Sequence, residues 1–214
     1  LWTVVSGTAT FADATNPTTT VTGLSTGTNV LRWTISNGTC TPSTSDVTIT
    51  VSELPTPSDA GADETLCDTD NTTLAANTPT VGTGLWTVVS GTATFADATN
   101  PTTAVSGLSV GTNVLRWTIS NGSCAPSTDE VSITVSELPT TSAAGADQAL
   151  CDVTNTTLAG NTPTIGTGVW TVVSGTATFA DATNPTTAVT GLSTGTNVLR
   201  WTISNGSCPS SEDE

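Results

Sequence analysis

Five cysteines, Cys40, Cys67, Cys124, Cys151 and Cys208, are the side chains of this 214-residue chain best equipped for covalent chemistry. A thiol can serve as nucleophile, metal ligand or half of a disulfide. A nucleophile wants a neighbouring base, yet the sequence has no histidine and no lysine. Zinc wants C-x-x-C spacing or histidines, and neither occurs. Disulfides are left, and with them an oxidising compartment. The cysteines fall into two classes. Cys67 and Cys151 each follow a leucine in an acidic turn, while Cys40, Cys124 and Cys208 each close an Asn-Gly-Thr/Ser-Cys run.

Carboxylates are the other chemical resource, 18 against three arginines, for a net charge of -15. Such a balance repels phosphate backbones and excludes nucleic acid as a partner. Asp68-Thr-Asp70-Asn71 resembles the opening of a calcium loop, because hard cations want several carboxylates close together. The equivalent Asp152-Val-Thr-Asn155 loses the second acid, and Asp59 and Glu64 become Ala143 and Gln148. Calcium is therefore the one cation worth weighing, and solvated turns are the better reading. No metal site and no cofactor is expected. General acid–base work needs an intact carboxylate pair. None repeats, so no catalytic residue is assigned and an enzyme is not expected. Phe95-Ala-Asp97-Ala-Thr-Asn100-Pro101 does recur intact, which predicts side-chain capping of a turn by Asp97 and Asn100. Asn37, Asn71, Asn121, Asn155 and Asn205 head N-x-S/T sequons, which turn chemistry explains as well. Threonine makes up about a quarter of the residues. Outward Thr suits strands without charge, and twisted short strands disfavour an ice-matching lattice.

These groups are positioned by a repeat. LWTVVSGTATFADATNPTT begins at Leu1 and Leu85, and a near copy begins at Val169, so the offset is 84 residues (85 − 1 and 169 − 85). That period is too long for a solenoid turn and fits one small domain. We expect three units: residues 1–54 without their first two strands, a complete unit at 55–139, and residues 140–214 without the last strand. The chain reads as a piece of a longer tandem array. Asn113–Ser120 alternates, with Leu115, Trp117 and Ile119 on one face, and Val131–Val135 alternates likewise. Asn121-Gly122 between them predicts a hairpin. Leu85–Val89 and Thr92–Phe95 flank Ser90-Gly91, which predicts a second. Ala62–Leu66, Thr72–Ala76 and Thr102–Leu108 complete seven strands. The fold class is all-β, in tandem seven-stranded sandwiches. Trp86, Trp117, Trp170 and Trp201 are expected in the cores. No run approaches the ~20 apolar residues of a membrane helix.

The T-L-C turn, the R-W-T-I-S-N-G-x-C strand and the closing V-x-I-T-V resemble the PKD-like and Ig-like repeats of giant surface proteins in gliding Bacteroidota. That resemblance covers the whole chain. It implies an extracellular, type IX-secreted, cell-surface stalk or filament for adhesion, in gliding or in attachment to prey or substrate. Its partners would be adjacent repeats, identical chains in a bundle, and glycans or cells reached by a distant region. The alternatives are a glycan- or partner-binding module and a subunit of a multi-chain cable.

Two disulfide pairings are open, beside free or interchain thiols. Within a unit, Cys67 would join Cys124 and Cys151 would join Cys208. In an up-and-down sandwich those positions lie at opposite poles, roughly 25 Å apart, whereas a disulfide tolerates Cα atoms only about 4.4–6.8 Å apart. Across a junction, Cys67 would meet Cys208, and this inter-repeat staple is the favoured pairing.

Overall fold

A computed structural model describes residues 1–214 and holds strands only. The middle unit shows the plan. Its strands are β6 (Glu64–Cys67), β7 (Thr72–Thr73), β8 (Thr83–Ser90), β9 (Thr94–Phe95), β10 (Ala104–Ser106), β11 (Gly111–Ser120) and β12 (Ser127–Ser136). They form a four-stranded sheet in the order β6-β12-β11-β8 and a three-stranded sheet in the order β7-β10-β9. Alternation in β11 and β12 turns Leu115, Trp117, Ile119, Val131, Ile133 and Val135 inward, each at most 5% exposed. Leu74, Val105 and Leu108 meet them from the other side. Each such side chain contributes about 1.5–3 kcal/mol when withdrawn from water.

Two tryptophans fix the register. Trp86 and Trp117 are cross-strand partners with ring centroids 5.2 Å apart, and the Trp117 indole lies over Gly84. A Cβ at position 84 would come within 2.0 Å of Trp117 Cζ2.

The connectivity departs from an up-and-down sandwich. β6 pairs parallel with β12, Glu64 opposite Ile133 and Cys67 opposite Ser136. Ser90-Gly91 is no hairpin either, since β8 pairs with β11 whereas β9 pairs with β10. The chain crosses between sheets there because Asn113 binds the crossing. Its Oδ1 accepts from the amides of Thr92 (3.0 Å) and Ser109 (3.1 Å), and its Nδ2 donates to Ser109 O (2.8 Å). Gly91, at φ +77, passes so close that a Cβ would lie 2.3 Å from Asn113 Oδ1. The strand expected at Thr102–Leu108 shortens to β10 because Thr102 and Thr103 are drawn into the Asn100 and Asp97 turns. The Asn121-Gly122 connection is also longer than a two-residue hairpin. It spans residues 121–126, with Gly122 in the left-handed region.

The flanking units repeat parts of this plan. In the first, β1 (Trp2–Ser6), β4 (Gly27–Ile35) and β5 (Ser43–Val51) form one sheet, and β2 (Thr10–Phe11) pairs with β3 (Val21–Thr22). In the third, β13 (Thr156–Thr157), β16 (Ala188–Thr190) and β15 (Thr178–Phe179) form one sheet. The other joins β14 (Thr167–Ser174), β17 (Val198–Ser204) and β18 (Ser211–Asp213). β18 corresponds to the opening of β12, so the third unit carries the first residues of the strand it was expected to lack.

Candidate functional site: the clamp between units

The parallel β6–β12 pair decides where the cysteines sit. It carries Cys67 to the end of β12, where the chain leaves the middle unit. Asp68, at φ +52, then turns the chain, and its amide donates to Ser136 O at 2.9 Å. The 205–210 loop of the third unit arrives at the same place. Cys208 lies beside Cys67, with Cα atoms 5.0 Å apart and a 2.06 Å S–S bond. The intra-repeat pairs do not form, and Cys40, Cys124 and Cys151 are free thiols.

Around the disulfide the contact is polar and close. Asn205 Nδ2 donates to Glu137 O at 2.8 Å, and Ser207 Oγ reaches Leu66 O at 3.5 Å. Gly206 permits the approach, since a Cβ there would sit 2.1 Å from Ser136 Oγ. The junction between the first and middle units repeats these contacts. Asn121 Nδ2 donates to Glu53 O at 2.9 Å, the Cys124 thiol to Ser52 O at 3.5 Å, and Gly122 packs on Ser52. Even the unpaired cysteines keep the local geometry. Cys40, Cys124 and Cys208 each donate an amide hydrogen bond to the asparagine three residues back, at 3.1 Å, and Asp152 after Cys151 sits at φ +55.

The linker is bonded into the unit it enters. Thr56 Oγ1 accepts from the amides of Thr80 (2.9 Å) and Val81 (2.8 Å), and Ser58 N donates to Ser127 Oγ at 2.9 Å. Asp129 Oδ2 accepts from Ala60 N at 2.7 Å. Thr140, Ser142 and Asp213 repeat all three arrangements in the third unit. Only the segment around Leu54, which is 76% exposed, escapes this bonding.

No protein-family model matches the chain, and no curated protein matches it. Solved structures do match. Sidekick-1 immunoglobulin domains 1-4 superpose on 99% of this chain and 65% of their own, at TM-score 0.51 and 10% identity. Sidekick-1 immunoglobulin domains 1-5 reach the same TM-score with 90% of this chain and 47% of theirs. The PKD domain from KIAA 1837 protein is 29% identical over 37% of this chain and 85% of its own, at TM-score 0.33. The fold is immunoglobulin-like.

Within the immunoglobulin-like units the remaining candidates take plain structural places. Trp86, Trp117, Trp170 and Trp201 are all 3% exposed or less. Trp86 Nε1 donates to Pro101 O at 3.3 Å, whereas Trp117 Nε1 is buried without a partner. Arg116 pairs with Glu130 opposite it on β12 at 2.9 Å, and Arg32 with Asp46 at 2.7 Å. Both pairs are solvent-exposed and contribute little to stability. Asp97 Oδ1 accepts from the Thr99 hydroxyl (2.7 Å) and amide (2.8 Å), and Asn100 Oδ1 from the Thr102 amide (3.0 Å). The Thr99 hydroxyl, then its amide, hold the Asp97 carboxyl below the usual carboxylate range. Asp68 and Asp70 join no cluster of three or more metal-ligating side chains. Asn113 was missed as a key residue, although the alternation that turns Leu115 and Trp117 inward also turns position 113 inward.

Proposed function

We propose that these units are repeats of an extracellular stalk or filament that mediates cell-surface adhesion. The observation that carries this reading is the duplicated clamp. Two successive junctions use the same loop, the same strand end and the same bonded linker. A rod that must hold a distant tip away from a surface needs uniform modules at fixed angles, and a bonded linker with a covalent staple supplies both. Adhesion along the length would gain from many weak contacts presented together. The similarity of the T-L-C turn and R-W-T-I-S-N-G-x-C strand to repeats of gliding Bacteroidota further suggests type IX secretion and a role in gliding or attachment.

Small-angle scattering of the oxidised protein tests the rod. Each unit should add about 35–45 Å along one axis, from strands of 8–10 residues plus a linker. A maximum dimension matching three units side by side would refute the stalk. Immunogold labelling of cells that produce the protein tests its location, with label confined to the cytoplasm as the contrary result.

A further inference from the structure

Both junctions rest on an Asn-Gly pair, and the geometry asks for each member of it. Asn121 Nδ2 donates to Glu53 O at 2.9 Å and Asn205 Nδ2 to Glu137 O at 2.8 Å, across the boundary between units. Gly122 and Gly206 follow at φ +57 and +54, a conformation that L side chains rarely adopt. A Cβ on either glycine would strike Ser52 or Ser136 Oγ. Asn37-Gly38 stands in the same turn of the first unit, with Gly38 at φ +53 and Cys40 N donating to Asn37 O at 3.1 Å. Asn37 is exposed, and its side chain makes no bond across a junction.

The pair that the junction requires is also one that can attack itself. With no Cβ on the second residue, the glycine amide nitrogen can close on the asparagine Cγ. The amides of Gly122 and Gly206 donate to no protein group, so neither nucleophile is tied up. The carboxamides of Asn121 and Asn205 are held, by contrast, at Glu53 O and Glu137 O. That bond must open before Cγ can turn onto the glycine nitrogen.

We propose that Asn121 and Asn205 are sites of spontaneous deamidation, and that their conversion unlatches the junctions irreversibly. The Gly122 nitrogen bonds to Asn121 Cγ, the Cγ–Nδ2 bond breaks, and ammonia leaves with the amide proton of Gly122. Water then opens the cyclic imide at either carbonyl, leaving aspartate or isoaspartate, with nothing oxidised or reduced. Asn205 and Gly206 react alike. The product carboxylate accepts hydrogen bonds and cannot donate them, so it meets the Glu53 or Glu137 carbonyl with no proton between. Isoaspartate also reroutes the main chain through the side-chain carbon, and either product adds charge to a chain already at -15. The latch thus sets the pace of its own loss. The inference holds whether or not the units serve as a stalk.

The test is incubation of the whole chain in mildly alkaline buffer, with peptide mapping by mass spectrometry over time. In urea with reductant, Asn37, Asn121 and Asn205 should convert at one rate. In the folded chain Asn121 and Asn205 should convert about tenfold more slowly than Asn37, the weight of the one hydrogen bond that must open first. Aspartate and isoaspartate should both appear, as the opening of an imide requires. Asn121 and Asn205 keeping pace with Asn37 in the folded chain overturns the proposal, as does their survival long after Asn37 is spent. Aspartate without isoaspartate overturns the imide route. The release is read on Asn121→Asp, at the junction that holds no disulfide, with paired fluorophores on the first and middle units. Its distance distribution should be wider than that of the wild type, with middle-unit melting as the check on folding. An unchanged distribution overturns the unlatching.

Discussion

Gly84 shows how one side chain legislates for another. The Trp117 indole occupies the space of any Cβ at that position, so Gly84→Ala must push the ring or the strand. Overpacking of this kind costs about 1–3 kcal/mol, and calorimetry should show the middle unit melting roughly 4–8 °C lower per kcal/mol lost. Asn113→Ala should destabilise by about 1–3 kcal/mol, because it strips the partly buried Thr92 and Ser109 amides of the acceptor that the fully buried Asn113 side chain supplies. Asp97 predicts a pH dependence. Its carboxyl titrates lower when folded than when unfolded, through the Thr99 hydroxyl and amide. Its contribution is therefore full above the ordinary carboxylate pKa and is lost as pH falls through the lowered value. The melting difference between wild type and Asp97→Asn should be constant near neutrality and shrink in acid below that ordinary value. A difference that persists unchanged into strong acid would contradict the assignment. The Asp97 turn was legible in the sequence, since Asx chemistry is local. The Gly84–Trp117 contact was not, because nothing in a one-dimensional pattern says which indole lies over which glycine.

At the scale of elements, long alternating strands such as β11 and β12 were legible because six inward residues agree on one face. Pairing partners were harder. Ser90-Gly91 has the composition of a tight turn, and only the bonds from Asn113 reveal that the chain there changes sheets. The parallel partnership of β6 and β12 is likewise non-local, yet it alone carries Cys67 to the exit end of its unit. The staple acts at a boundary between units that fold on separate cores. Cys208→Ser should lower the melting temperature of the middle unit, most of whose chain the disulfide closes into a loop, while broadening the angle between the middle and third units. Paired fluorophores on the two units would read that as a wider distance distribution. If the distribution stays as narrow as in the oxidised protein, hydrogen bonds such as Asn205 to Glu137 O hold the junction without the disulfide.

For the whole molecule, the bond between Cys67 and Cys208 changes what pulling on the ends can do. The two residues are 141 positions apart in sequence, a stretch that would release about 480 Å of contour if drawn out straight. With the bond intact the load passes through two sulfur atoms, and everything between them is excused from tension. The middle unit from Asp68 onward, and the third as far as β17, can then lose their folds without the molecule growing longer. Single molecules stretched from Leu1 and Glu214 should lengthen by that whole amount only after a reductant is added. The stretch between the two cysteines therefore fails by bond chemistry before it fails by unravelling.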